Sequence, residues 1–178
     1  MVKAVFFDLF QTLVHYDPPR EEIIARALED HDIEVEPEAL VQPLVAADQY
    51  MYQAMAVRPM GVRSAEERFA LYVKHHEILF EKAGLAIDPD IIPSILKRME
   101  GSNSSLKLFN DVLPAFKELK RRGLILGLIS NVDSDMSEQF EKLGLDRQLE
   151  VIMTSRQADA TKPSPEIFEA ALDEAGVV

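Results

Sequence analysis

Three short, nearly continuous apolar runs limit what this chain can fold into. Val2–Phe7, Leu124–Ile129 and Leu149–Met153 are rich in residues that favour strands covered on both faces. Helical segments follow or separate them. Val112–Arg122 stops at Gly123 before the second run, Asp135–Leu143 stops at Gly144 between the second and third, and Ser164–Ala175 stops at Gly176 after the third. Strands joined by crossover helices imply a parallel α/β sheet.

The long interval after the first run has a different texture. Residues 16–104 carry 17 acids against 9 bases, whereas residues 1–15 are neutral. Glu21–His31 places Ile23, Ile24, Ala27 and Leu28 on one helical face, and Ala39–Val57 reads as helical with Pro43 in a first turn or at a kink. Ser64-Ala65-Glu66-Glu67 is a capping box, opening a helix that should bury Phe69, Tyr72, Val73, His76, Leu79 and Phe80 and leave His75 outside. Asp88-Pro89 begins another, with Ile92, Ile95, Leu96 and Met99 inward as far as Gly101. No strand is expected in this stretch, and Ser102–Ser105 reads as the linker back. The expected architecture is therefore a core of residues 1–15 and 105–178 with an all-helical insert of residues 16–104.

Composition then removes several classes of function. The net charge of −12, from 19 Lys and Arg against 31 Asp and Glu, has the wrong sign for gripping a phosphate backbone, so no nucleic-acid partner is expected. The absence of cysteine excludes disulfides and thiolate chemistry and suits a reducing cytoplasm, the expected location. No apolar run reaches the ~18 residues of a membrane span, so no membrane partner is expected either.

In an open parallel sheet, ligands sit beyond the carboxyl ends of the strands. The first run leads into Asp8-Leu9-Phe10-Gln11-Thr12-Leu13, the second into Ser130-Asn131, and the third through a polar loop to Thr161-Lys162-Pro163. Taken singly, Asp8 reads as a turn or helix cap, Ser130-Asn131 as a loop and Lys162 as a solvated lysine. Together they make a site for covalent catalysis: a carboxylate to attack an electrophilic phosphorus or carbon, an ammonium beside it, and a hydroxyl and an amide to hold the anionic part of a small-molecule substrate.

That order of motifs resembles the haloacid dehalogenase superfamily of hydrolases: a strand ending in Asp with Thr-Leu four and five residues on, a helical segment, a strand ending in Ser-Asn, and Lys-Pro-x-Pro-Glu-Ile-Phe at Lys162–Phe168. The resemblance implies a Rossmann-like core with an inserted α-helical cap that closes over the site. It also implies that Asp8 is the nucleophile, that Lys162 neutralises charge, and that Thr12 and Ser130 bind the transferred group with help from Asn131. The substrate implied is a small phosphorylated or otherwise activated organic molecule.

Three departures from the family's pattern qualify this picture. Phosphatases of the family carry a second Asp two residues after the nucleophile to move protons to and from the leaving group; here that residue is Phe10, which leaves water or a histidine such as His15, His31 or His75. The dehalogenase branch often has an aromatic residue there, since halide needs no proton. It also uses an early cap arginine, however, and no Lys or Arg lies between Arg26 and Arg58. Gln11 stands where the family has a glycine and should crowd the turn.

Finally, the family's acidic fourth motif is not found after Gly176. Magnesium, the implied cofactor, is left with Asp8 and the Phe10 carbonyl and no third ligand; Glu166, Glu169, Asp173 and Glu174 read as a solvated helix face. The core is accordingly expected to be incomplete at its C-terminal side. Either a covering segment or a second copy of the chain is then expected on the apolar edge of the first strand. The alternatives are a catalytically impaired binding protein of the same fold and a fragment of a longer enzyme. The methionines and tyrosines of Gln49–Met60 read as helix packing, and Asp133 and Asp135 as caps for the helix after Asn131.

Overall fold

In a computed structural model, which describes residues 2–132 and 134–177, Ala4–Phe7 (β1), Ile125–Ser130 (β4) and Val151–Thr154 (β5) form a parallel sheet in the order β1-β4-β5. Phe7 is in register with Leu128, and Ser130 with Thr154. The central strand is the most buried because it is covered twice. On one face Leu126 and Leu128 join Leu9, Val112 and Phe116; on the other Ile129 joins Val151, Met153, Ile167 and Ala171. Val112–Arg121 (α5) and Pro165–Glu174 (α8) contribute the helical side of these two layers, and Ser137–Leu143 (α6) contributes Phe140 to the first. Each fully buried side chain in them contributes about 1.5–3 kcal/mol of transfer free energy.

Alternation along β1 sends Val5 and Phe7 to the first face and Phe6 to the second. The Phe6 ring there lies over Gly127 of β4, where a Cβ would stand 2.5 Å from two of its ring carbons. Glycine at this point of the strand is thus a packing requirement.

Two strands were not expected. Val14–Asp17 (β2) and Ser105–Leu108 (β3) pair in a separate two-stranded sheet. Strand β3, Ser-Leu-Lys-Leu, alternates exposed and half-buried residues, the pattern of a strand wet on one side. The helical stretch therefore begins and ends in strand, not in linker. The polar loop after β5 also contains a short helix, Ser155–Ala158 (α7), opened by a reciprocal capping box between Thr154 and Gln157.

The chain divides into two compact units, one holding the residues up to Tyr16 and from Leu106 onward, the other Asp17–Ser105. The second is helical: Arg20–Glu29 (α1), Pro37–Val57 (α2), Ala65–Lys82 (α3) and Ile92–Glu100 (α4). Its core is Ile24, Leu28, Leu40, Leu44, Leu79, Phe80, Ile92 and Ile95 with their neighbours. Helix α2 starts at Pro37, which places Pro43 inside the helix and not in its first turn; its buried ring takes the place of one intrahelical N–H donor.

The buried face of α3 is rotated from the one expected. Leu71 and His75 are buried, while Phe69 and Tyr72 are 45% and 47% exposed. The cause is a polar contact that periodicity does not reveal: Asp48 of α2 accepts His75 Nε2–H at 3.0 Å and both arms of the Arg20 guanidinium, at 3.0 and 2.5 Å. Burial alone would raise the Asp48 carboxyl, but the hydrogen bonds from His75 and Arg20, with their charges, outweigh it and hold it at about 2.

Next to it, His76 donates Nδ1–H to the Tyr72 carbonyl at 2.9 Å, which leaves its buried Nε2 without a hydrogen-bond partner. Burial pushes this imidazole down to about 4.

Candidate functional site

The exits of β1 and β4 carry the site. Asp8 follows β1 directly, and the chain then turns sharply: the carbonyl of fully buried Leu9 accepts the N–H groups of Leu13 and Val14 at 2.9 and 3.0 Å, and Gln11 N–H reaches the Val14 carbonyl at 2.8 Å. Gln11 occupies the left-handed region with φ 59°. The glutamine is accommodated, at a backbone cost of about 1–2 kcal/mol that glycine would avoid.

Lys162 joins the first exit to the second. Its Nζ donates to Asp8 Oδ1 at 2.5 Å and to the Ile129 carbonyl at 2.8 Å, and its backbone is held by the side chain of Asn131. The Lys162 side chain is 25% exposed and that of Asp8 42%, so the pair faces solvent on one side, as a site that admits a substrate must. Ser130 is buried at the end of β4, opposite Thr154 in register, and Thr12 is exposed on the turn after Asp8.

Phe10 brings no proton-transferring group to the turn after β1. Its ring stacks on Tyr16 of β2, with centroids 6.0 Å apart and planes 11° from parallel, and it packs against the first core layer. His15, the next residue back on β2, lies against Phe109 at 5.0 Å, and its Nδ1 donates to the Tyr16 carbonyl at 3.0 Å, which leaves Nε2 as the basic nitrogen. His31 is bonded to Ser94 Oγ at 2.8 Å, and His75 is committed to Asp48. Sequence reasoning missed the Ile129 carbonyl and Tyr16; the alternation of Val14-His15-Tyr16 was the available signal for the latter.

Magnesium finds few donors here. Asp8 and the Phe10 carbonyl are one carboxylate and one neutral oxygen, and among the described residues no three His, Asp or Glu side chains converge on a metal-sized space. Glu166 is bonded to Ser164 Oγ at the start of α8. Asp135 accepts Ser137 N–H at 3.0 Å but stands one residue before the cap position of α6, which Met136 fills without a side-chain bond, so it is not the cap expected; Asp133 lies outside the described residues. Among the described residues no helix is long and apolar enough to cross a membrane.

Known proteins resemble the chain over nearly its whole length. The chain is 26% identical to the human haloacid dehalogenase-like hydrolase domain-containing protein 3, over 96% of this chain and 68% of that one. It is 24% identical to a glyceraldehyde 3-phosphate phosphatase of Methanopyrus kandleri, over 99% of this chain and 72% of that one. Its fold superimposes on the crystal structure of the L-2-haloacid dehalogenase RSc1362 with a TM-score of 0.61 at 18% identity, covering 99% of this chain and 74% of that one. A family profile for haloacid dehalogenase-like hydrolases matches residues 2–178, nearly the whole sequence, and with a parallel Rossmann-like sheet and a helical second unit beneath that match the chain belongs to this hydrolase family.

Proposed function

We propose that the chain is a hydrolase that works through a covalent aspartyl intermediate on a small phosphorylated or otherwise activated organic substrate. The observation that carries this is the Lys162 ammonium, placed 2.5 Å from the Asp8 carboxylate at the exits of adjacent parallel strands. Asp8 Oδ attacks the electrophilic phosphorus or carbon, a new bond to oxygen forms, and the leaving group departs with the bonding electrons. Water then cleaves the aspartyl ester or acyl phosphate and regenerates the carboxylate. Lys162 offsets the negative charge gathered at the reacting centre, and the hydroxyls of Thr12 and Ser130 bind the transferred group. The helical unit Asp17–Ser105 serves as the cap that selects the substrate and excludes water.

Phe10 decides which leaving groups suit this site. An alkoxide leaving a phosphate ester needs a proton, and a phenyl ring stacked on Tyr16 supplies none; a halide needs none. Carbon–halogen cleavage is therefore the second reading. Where magnesium takes part, Asp8 and the Phe10 carbonyl are the protein oxygens offered to it, too few to form a site unless substrate oxygens and water complete the shell. A cytoplasmic location suits the cysteine-free composition.

The test is a panel of small phosphate esters and 2-haloacids, each with and without magnesium, run on the intact chain and on Asp8→Asn. Turnover that disappears in Asp8→Asn supports the proposal, and the ratio of phosphate to halide release assigns the branch. Ligand-induced thermal stabilisation without turnover of any member would instead support a binding protein of the same fold.

A further inference from the structure

Asn131 grips the backbone of Lys162. Its Oδ1 accepts the Lys162 backbone N–H at 2.7 Å, and its Nδ2 donates to the Lys162 carbonyl at 3.1 Å. Both polar atoms of the amide thus engage the two backbone groups of one residue, as a neighbouring strand would, with one N–H and one lone pair to spare. The same strand end holds the other end of that lysine, because Nζ donates to the carbonyl of Ile129, two residues before Asn131. Lys162 is therefore fastened at its backbone and at its tip by Ile129–Asn131, and the flexible stem between them is left one way to reach Asp8.

We infer that Asn131 is a positioning residue, which acts on catalysis through Lys162 by fixing where the ammonium meets Asp8. The inference rests on the proposed roles of Asp8 and Lys162. It revises the part expected of Asn131 itself, leaving the grip on the transferred group to Thr12 and Ser130.

A double-mutant cycle separates the two roles. With p-nitrophenyl phosphate or 2-chloropropionate, whichever shows Asp8-dependent turnover, Asn131→Ala is expected to lower kcat about 10- to 100-fold and to leave KM within about twofold. In a Lys162→Met background the same substitution is expected to cost nothing further. A rise in KM with kcat unchanged, or losses that multiply, would overturn the inference.

A second measurement needs no substrate. Acetylation of Lys162 by acetic anhydride, read by mass spectrometry against the exposed Lys142, should rise several-fold in Asn131→Ala, and unchanged labelling would also overturn it. Asn131→Asp keeps the acceptor for the Lys162 N–H and serves the same assay if the alanine variant fails to fold. Full turnover in Asp8→Asn would remove the proposed mechanism and leave the labelling result standing, so the two failures are distinguishable.

Discussion

Lys162 reaches Asp8 across 154 positions of sequence and places Nζ 2.5 Å from Oδ1, an ion pair with one side open to solvent. Such a pair contributes little to folding, about 0–1 kcal/mol, because water already screens both charges. Its effect on a developing anion is larger. Lys162→Met is expected to cut kcat by about 10²-fold or more while shifting the thermal midpoint only slightly. Steady-state kinetics beside a melting curve checks this, and a large loss of stability with proportionate loss of rate would show that the pair is mainly structural.

Acid should act on the helical unit through His76. Its imidazole stands at about 4 in the fold, against an ordinary value of 6.5, because burial disfavours the charged ring. Between those values the unfolded chain binds a proton that the folded chain refuses. Stability is thus complete above about pH 6.5 and falls by about 1.4 kcal/mol per pH unit toward pH 4, a total of about 3 kcal/mol. Asp48, held at about 2, adds its loss in the lower window from about pH 4 to 2. Denaturant titrations at pH 7 and pH 4.5 should show the upper slope in the native sequence and not in His76→Phe, which keeps the contact with Phe80.

Gly127→Ala should destabilise the sheet unit. The new methyl would meet Phe6 ring carbons at 2.5 Å and Val151 Cβ at 3.3 Å, and the ring lies inside a packed layer. A loss of about 1–3 kcal/mol is expected from overpacking. Adding Phe6→Leu should recover part of it, and urea midpoints of the two single variants and the double variant test the coupling.

Much of this was legible in the sequence because it follows from local periodicity. The strands β1, β4 and β5 announce themselves as apolar runs, and the glycines at 123, 144 and 176, all at positive φ, mark helix ends. Asp8, Ser130 and Lys162 could be nominated because parallel sheets put strand exits in one place. What periodicity could not supply were partners distant in sequence. His75 was expected outside because it points about 100° away from His76 on the expected apolar face, until Asp48, 27 residues away, is seen to bind it. Strand β3 escaped notice because four residues of Ser-Leu-Lys-Leu become a strand only beside β2.

The first turn of α3 offers a local check. Ser64 Oγ accepts Glu67 N–H at 3.2 Å and Glu67 Oε2 accepts Ser64 N–H at 2.8 Å, with Arg58 bonded to the same carboxylate. Ser64→Ala should cost about 1 kcal/mol, and amide hydrogen exchange should quicken at the start of α3 before anywhere else in the helix.

The helical unit starts and finishes at one spot: Asp17 and Ser105 end the paired strands β2 and β3, and Ser105 Oγ donates to the Asp17 carbonyl at 3.4 Å. Mechanically, this ribbon is a shunt. Tension applied at Val14 and Leu108, the outer ends of the ribbon, passes across the rungs between β2 and β3 and spares the four helices until those rungs give way. A pull should therefore release the helical unit in a single lengthening step, and the force that starts it is set by a two-stranded zipper and not by the helices it protects.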